Sequence, residues 1–357
     1  MSPPTRPASR QEIIAYLGRI HHPAADDKDE ASLTLAVQQD PMKILKELMF
    51  AHNLFIPFEN TFMHCVDNVT SPPLDPSAIQ DRVVTRHLGG YCYFHALQLS
   101  RILLGLEYTC RPVSAFVRES AEPSWKQRQI PLPKRPTHCC ILLEMEGKPY
   151  LVDCGFARRG PLVPVPLPGS QHVGAVGVIV GSPTLPTESW RISVADLSVL
   201  AQPDDAETTL PHPTYLLHHR SLRKGQTEHD AHWDVLYAFT TETEDLEAYE
   251  RLSWHVCIGE KGISHKFREY FTVARTYQPG LTGPEYPREE AGDGQSGVLV
   301  EPVDFGAGLA RLSLTNMELG SFVAGEKKVL CEFKDEQERL KGLEKWFGLK
   351  GPFDGKL

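Results

Sequence analysis

The sequence predicts an α+β protein with a helical first region, a β-rich middle region and a mixed third region. Three observations carry this. Apolar residues recur at three- and four-residue steps up to Cys110; short apolar runs broken by turn residues take over from Val113; and a strand followed by a helical pattern closes the chain over Lys328–Leu349. The 29 prolines and 27 glycines among 357 residues fit many loops and short strands better than long helices.

Taken in order, residues 1–10 read as a Pro- and Ser-containing disordered tail. Glu12–Ile20 reads as a short amphipathic helix with Ile13, Ile14, Tyr16, Leu17 and Ile20 apolar. Ser32–Asn53 holds one longer helical pattern, and Pro57 stops it and fixes the next turn. A further helix follows Cys92. Val113–Val117 looks like a strand and Arg118–Pro136 like a basic loop; Thr137–Glu144 and Pro149–Phe156 look like two strands of a hairpin. With short strands at Val173–Val180 and Trp190–Ser193, the middle region reads as a β barrel or sandwich. Strands are expected around Val235–Phe239, His255–Ile258, Tyr270–Thr276, 299–303 and 310–314, and a loop over Gly280–Gly297. The expected domains are 1–112, 113–232 and 233–357.

Composition narrows the class. Hydrophobic content of 41% and charged content of 23% are ordinary for a soluble globular protein. A net charge of -9 argues against a general nucleic-acid binder. No apolar run approaches membrane-spanning length, and residues 1–10 lack an apolar signal core. Eight cysteines at irregular spacing, with no C-x-x-C pair, suggest neither a disulfide framework nor a zinc site. A reduced, cytoplasmic, metal-free monomer is the expectation.

The chemistry centres on Gly89-Gly90-Tyr91-Cys92. Paired glycines permit a tight turn and leave room beside the chain. The apolar helical run that follows places Cys92 at or near a helix N-terminus, where the dipole and unpaired N–H groups favour a thiolate. A packed, unreactive thiol is the alternative, and the stretch alone does not decide between them. The hairpin supplies partners. A turn centred on Glu146-Gly147 sets His138 and Asp153 diagonally opposite on one face, within reach of a side-chain hydrogen bond. Cys92, His138 and Asp153 are thus a nucleophile, a base and an orienting carboxylate.

In these residues the sequence resembles the arylamine N-acetyltransferases. The resemblance includes Ile56-Pro57-Phe58-Glu59-Asn60, Gly89-Gly90-Tyr91-Cys92, Thr137-His138, Asp153-Cys154-Gly155-Phe156, Val163–Leu167 and Trp346-Phe347-Gly348-Leu349. It implies a helical bundle, a β-barrel and an α/β lid around a papain-like Cys-His-Asp site. It also implies a ping-pong reaction in which the cysteine takes an acyl group from acetyl-CoA or another short acyl-CoA. An arylamine, arylhydroxylamine or hydrazine then discharges the thioester. By position, Phe156 and Arg158 fall where the family lines its acceptor pocket.

The sequence also departs from the family pattern. Leu88 stands where the family usually has Arg before the glycine pair, with Arg86 two residues earlier. Phe94 and Ala96 replace the usual acidic or amide residue and Asn. Hydrogen bonding around the site must therefore be rebuilt or weakened. His95 is a candidate for part of that gap, against a histidine that packs or faces solvent. A thiol hydrolase or transglutaminase-like enzyme, and a catalytically weak binding module, are the competing readings.

Overall fold

A computed structural model describes residues 5–25, 30–64, 71–119, 122–182, 185–204, 206, 209–259, 269–277, 309–323 and 326–351. The chain opens with α1 (Arg10–Arg19), started by a capping box. The Ser9 hydroxyl accepts from the Glu12 N–H, and the Glu12 carboxylate accepts from the Ser9 N–H. Residues 5–10 are therefore not the disordered tail expected: Thr5 and Ala8 are buried, and the Ala8 N–H donates to the Arg101 carbonyl.

The single helix expected over Ser32–Asn53 is two helices, α2 (Glu30–Gln39) and α3 (Pro41–Phe55). Asp40 caps α3 by accepting from the Lys43 N–H, and Pro41 takes the first turn, where its missing N–H has no helical partner to lose. The short strand β1 (Phe58–Glu59) follows, then α4 (Thr61–His64), α5 (Pro76–Gln80) and α6 (Cys92–Gly105). Helix α6 is buried along nearly all its length. Its Leu97, Leu99, Ile102 and Leu103 each stabilise the fold by about 1.5–3 kcal/mol relative to an exposed side chain.

The middle strands, in chain order, are β2 (Thr109–Val117), β3 (Ile130–Pro131), β4 (His138–Met145), β5 (Lys148–Val152), β6 (Val165–Pro166), β7 (Val180–Ser182), β8 (Leu185–Val194), β9 (Leu200–Ala201), β10 (Tyr215–Ser221) and β11 (Asp234–Phe239). Eight of them form one sheet in the order β6-β5-β4-β2-β11-β10-β8-β7, curled into a nearly closed barrel; β3 and β9 pair separately. The expected hairpin is β4–β5, paired from Met145↔Lys148 to Ile141↔Val152. Its two-residue turn, Glu146-Gly147, has positive φ at both positions (53° and 71°), the geometry that matches strand twist. Strand β4 alternates: Cys140 and Leu142 face the barrel core, whereas Cys139, Ile141 and Leu143 join the core shared with the helices. His138 has the parity of Cys140. Strand β11, from the segment beginning at 233, also belongs to the barrel, between β2 and β10.

The third region holds α7 (Leu246–Cys257), strands β12 (Thr272–Tyr277), β13 (Ala310–Thr315), β14 (Glu318–Val323) and β15 (Glu326–Glu332), and α8 (Glu336–Phe347). Helix α7 occupies most of the stretch expected as a strand over His255–Ile258. The Asp245 carboxylate caps it at the Ala248 N–H, and Ala248, Tyr249, Ser253, Val256 and Cys257 are buried at helical spacing. The expected loop over Gly280–Gly297 and strand at 299–303 lie outside the described residues. The antiparallel sheet β1-β12-β13-β14-β15 carries β1 from the helical region, so the first and last parts of the molecule share a core. Among the described residues, no helix is long and apolar enough to cross a membrane.

Candidate active site

Cys92 is the first residue of α6, and Tyr91 at the cap makes no side-chain capping bond. The first turn thus presents backbone N–H groups without a side-chain acceptor, a setting that favours negative charge. The approach to Cys92 is tightly packed. A Cβ on Gly89 would sit 1.9 Å from the Pro57 carbonyl oxygen, and one on Gly155 would sit 2.8 Å from the Cys92 Cα. Only glycine at 155 lets the end of the hairpin close on the Cys92 backbone.

The hairpin brings the two partners to this point. His138 Nε2 and Asp153 Oδ2 are 2.8 Å apart; the Cys92 sulfur lies near enough to the His138 ring to favour its protonated form, and the Cys92 thiol donates to the Thr137 carbonyl at 3.9 Å. Asp153 is held from two further directions. The Tyr237 hydroxyl donates to Oδ2 at 2.7 Å and the Gly155 N–H to Oδ1 at 2.9 Å. The rings of His138, Phe156 and Tyr237 meet in a mutual cluster, with centroids 5.0 to 5.2 Å apart. Cys92, His138 and Asp153 are each at most 2% exposed, so all three lie in a low-dielectric interior. Burial disfavours a charged ring at His138. The Asp153 carboxylate, the nearby Cys92 sulfur and the hydrogen bond to Asp153 outweigh it and raise the pKa to about 10. Burial, reinforced by Asp153, pushes the Tyr237 hydroxyl well above its ordinary value, so it remains a donor.

The helical side carries residues that the sequence did not single out. The Arg82 guanidinium donates through Nε to the Gly89 carbonyl at 3.0 Å and forms a buried ion pair with Glu59. A buried cation, Arg82, thus holds the backbone of the glycine pair that follows Leu88. Tyr237 was missed as well; it shares the barrel core with Leu236 and Phe239, whereas a register shift between β10 and β11 puts Val235 in the other cluster. Phe156 lies edge-on to His138. The Arg158 guanidinium packs over the Phe322 ring at 4.0 Å and has no ion pair among the described residues. A cleft of about 700 Å³ between α3 and β5–β7, walled by Phe50, Tyr150, Leu162 and Val163, is lined by none of Cys92, His138 and Asp153.

A buried cysteine, histidine and aspartate thus come together where the helices meet the barrel. A family model described as N-acetyltransferase matches residues 41–177. The chain is 31% identical over 249 residues to an arylamine N-acetyltransferase of Mycobacterium tuberculosis, covering 68% of each protein. It is 23% identical over 313 residues to the N-malonyltransferase FDB2 of Gibberella moniliformis, covering 87% of this chain and 78% of that one. The fold matches the arylamine N-acetyltransferase of Salmonella typhimurium with a TM-score of 0.63 at 18% identity, over 98% of this chain and 96% of that one. The Mycobacterium marinum enzyme in complex with CoA gives 0.58 at 20% identity, over 94% and 92%. The chain belongs to the arylamine N-acetyltransferase family and is an acyltransferase.

Proposed function

We propose that this acyltransferase moves a short acyl group from acyl-CoA to an arylamine, arylhydroxylamine or hydrazine through a thioester on Cys92. The observation that carries the reading is the buried His138–Asp153 hydrogen bond with Cys92, at the start of α6, beside the His138 ring. His138 takes the thiol proton on the ring nitrogen that Asp153 leaves free, and Asp153 fixes the tautomer and balances the imidazolium. The thiolate attacks the donor carbonyl; the C–S bond to CoA breaks, and the CoA thiolate leaves with the proton from His138. The amine then attacks the Cys92 thioester, loses a proton to His138, and the amide departs as the thiolate re-forms. Phe156, beside the His138 ring, offers an aromatic wall to a planar amine.

Donor choice has a second reading. Arg158 lies three residues beyond Gly155, which touches Cys92, and it has no ion pair among the described residues. A cation just beyond the end of the hairpin suits a donor ending in a carboxylate, and a malonyl group accords with the name of the FDB2 relative. The deciding experiment is intact-protein mass after incubation with acetyl-, propionyl- and malonyl-CoA, without amine. One acyl adduct, lost in Cys92→Ala and discharged by an arylamine, is expected. Turnover retained in Cys92→Ala would remove the thioester mechanism, and failure of every donor to label Cys92 would favour a thiol hydrolase or a binding module.

A further inference from the structure

Three buried side chains outside the reaction path form a hydrogen-bonded line that ends on the backbone of the nucleophile motif. The Tyr16 hydroxyl on α1 meets His52 Nδ1 on α3 at 2.8 Å. His52 Nε2 meets His95 Nδ1 on α6 at 2.7 Å, and His95 Nε2 meets the Gly90 carbonyl oxygen at 3.0 Å. Tyr16 and His52 are 0% exposed and His95 is 2% exposed. The carbonyl at the end fixes the direction of every bond. It can only accept, so His95 Nε2 must donate; His95 Nδ1 is then an acceptor, so His52 Nε2 donates; His52 Nδ1 in turn accepts from the Tyr16 hydroxyl. One tautomer of each ring satisfies the whole line.

The charge states agree with that assignment. Burial holds His52 well below its ordinary pKa, helped by His95 and Arg19. Burial also lowers His95 to about 4, with the Gly90 carbonyl and the Asp153 and Glu59 charges offsetting only part of it. Both rings are neutral at physiological pH. The Gly90 oxygen also accepts from the Glu59 N–H at 2.8 Å, so two donors hold the peptide two residues before Cys92. Meanwhile the two neighbours of His95 on the helix, Phe94 and Ala96, offer no polar group to this backbone.

We infer that the Tyr16–His52–His95 line is a positioning relay, in which α1 and α3 set the Gly90 carbonyl and thereby the place of Cys92 relative to His138. The inference rests on the reading of Cys92 as the nucleophile. His95 touches no reacting atom; it acts through the peptide it binds.

The test uses the full chain and the rate of Cys92 alkylation by iodoacetamide at neutral pH, followed by peptide mass, with the thermal midpoint measured in parallel. His95→Gln places an amide N–H where Nε2 stood and still reaches the Gly90 oxygen. His95→Asn satisfies His52 but is too short for Gly90. Alkylation is expected to slow by about tenfold in His95→Asn, as for loss of one buried hydrogen bond, and to recover most of that loss in His95→Gln at a similar thermal midpoint. Wild-type rates in both variants, or equal losses that simply track the thermal midpoints, would overturn the relay. Should His95→Asn not fold, Tyr16→Phe removes the first donor with little change in volume; an unchanged alkylation rate there would overturn it equally. Alkylation needs no acyl donor. A wild-type protein that alkylates at Cys92 yet forms no adduct with any acyl-CoA would sink the transferase reading, while the variants still decide the relay.

Discussion

His138 and His95 are both buried, and their pKa values move in opposite directions, one up to about 10 and the other down to about 4. On the barrel side, the ring faces a carboxylate at hydrogen-bond distance and the Cys92 sulfur. On the helical side, the ring faces a neutral histidine and a carbonyl. Desolvation is the largest single influence on each. What differs is a bonded anion, and that is enough to turn a buried neutral ring into one that keeps its proton. The barrel side is thus built to hold charge and the helical side to hold geometry.

Removing the anion is the strongest way to break this contrast. Asp153→Asn should cut acyl transfer by roughly three to four orders of magnitude and bring the His138 pKa down towards that of His95. Imidazole NMR titration checks the second effect, and a ring that stays protonated at alkaline pH would show that Asp153 is not the cause. Next in size is the helical side's own ion pair. Arg82→Met leaves the buried Glu59 carboxylate without its partner and should cost about 3–5 kcal/mol of stability in urea unfolding. Tyr237→Phe removes one of the bonds to Asp153. It should lower the Cys92 acylation rate by about tenfold with the fold retained, as for a hydrogen bond to a charged group.

The smallest effect is a pH slope. Unfolded His95 takes up its proton near 6.5, and folded His95 near about 4. Between these values the unfolded chain binds more protons. The stability that depends on neutral His95 is therefore complete above about 6.5 and is lost as pH falls through about 4. His95→Gln should flatten the drop in the urea midpoint over that window; a slope equal to wild type would place the acid sensitivity elsewhere.

The sequence made one half of the site legible and hid much of the other. His138 and Asp153 lie on adjacent strands of one hairpin, so turn position and side-chain parity sufficed to pair them. The Gly-Gly-x-Cys helix start was equally local. Tyr237 is 84 residues from Asp153 and reaches it only because β11 lies beside β2, a sheet order that no local pattern states. Arg82 and Glu59 are 23 residues apart on separate elements, and His52 is 43 residues from His95. The division of the Ser32–Asn53 helix was readable at Asp40-Pro41, a cap followed by a first-turn proline. The strand expected at His255–Ile258 failed because Val256 and Cys257 belong to a helical face whose other members lie a turn or two earlier.

Strand β1 pairs with β12 through Phe58↔Ala274 and Glu59↔Val273, and Phe58 bridges to Gly90 on its other side. Strand β1, which holds the Gly90 peptide two residues before Cys92, is thereby tied to a segment more than two hundred residues beyond β1. Closing so long a loop is entropically slow, and contacts of this separation form late in folding. During synthesis, Cys92 emerges well before β12 exists to dock β1. The thiol therefore acquires its final surroundings only when the last third of the chain arrives, so a nascent chain carries all three site residues for some time before it carries a site.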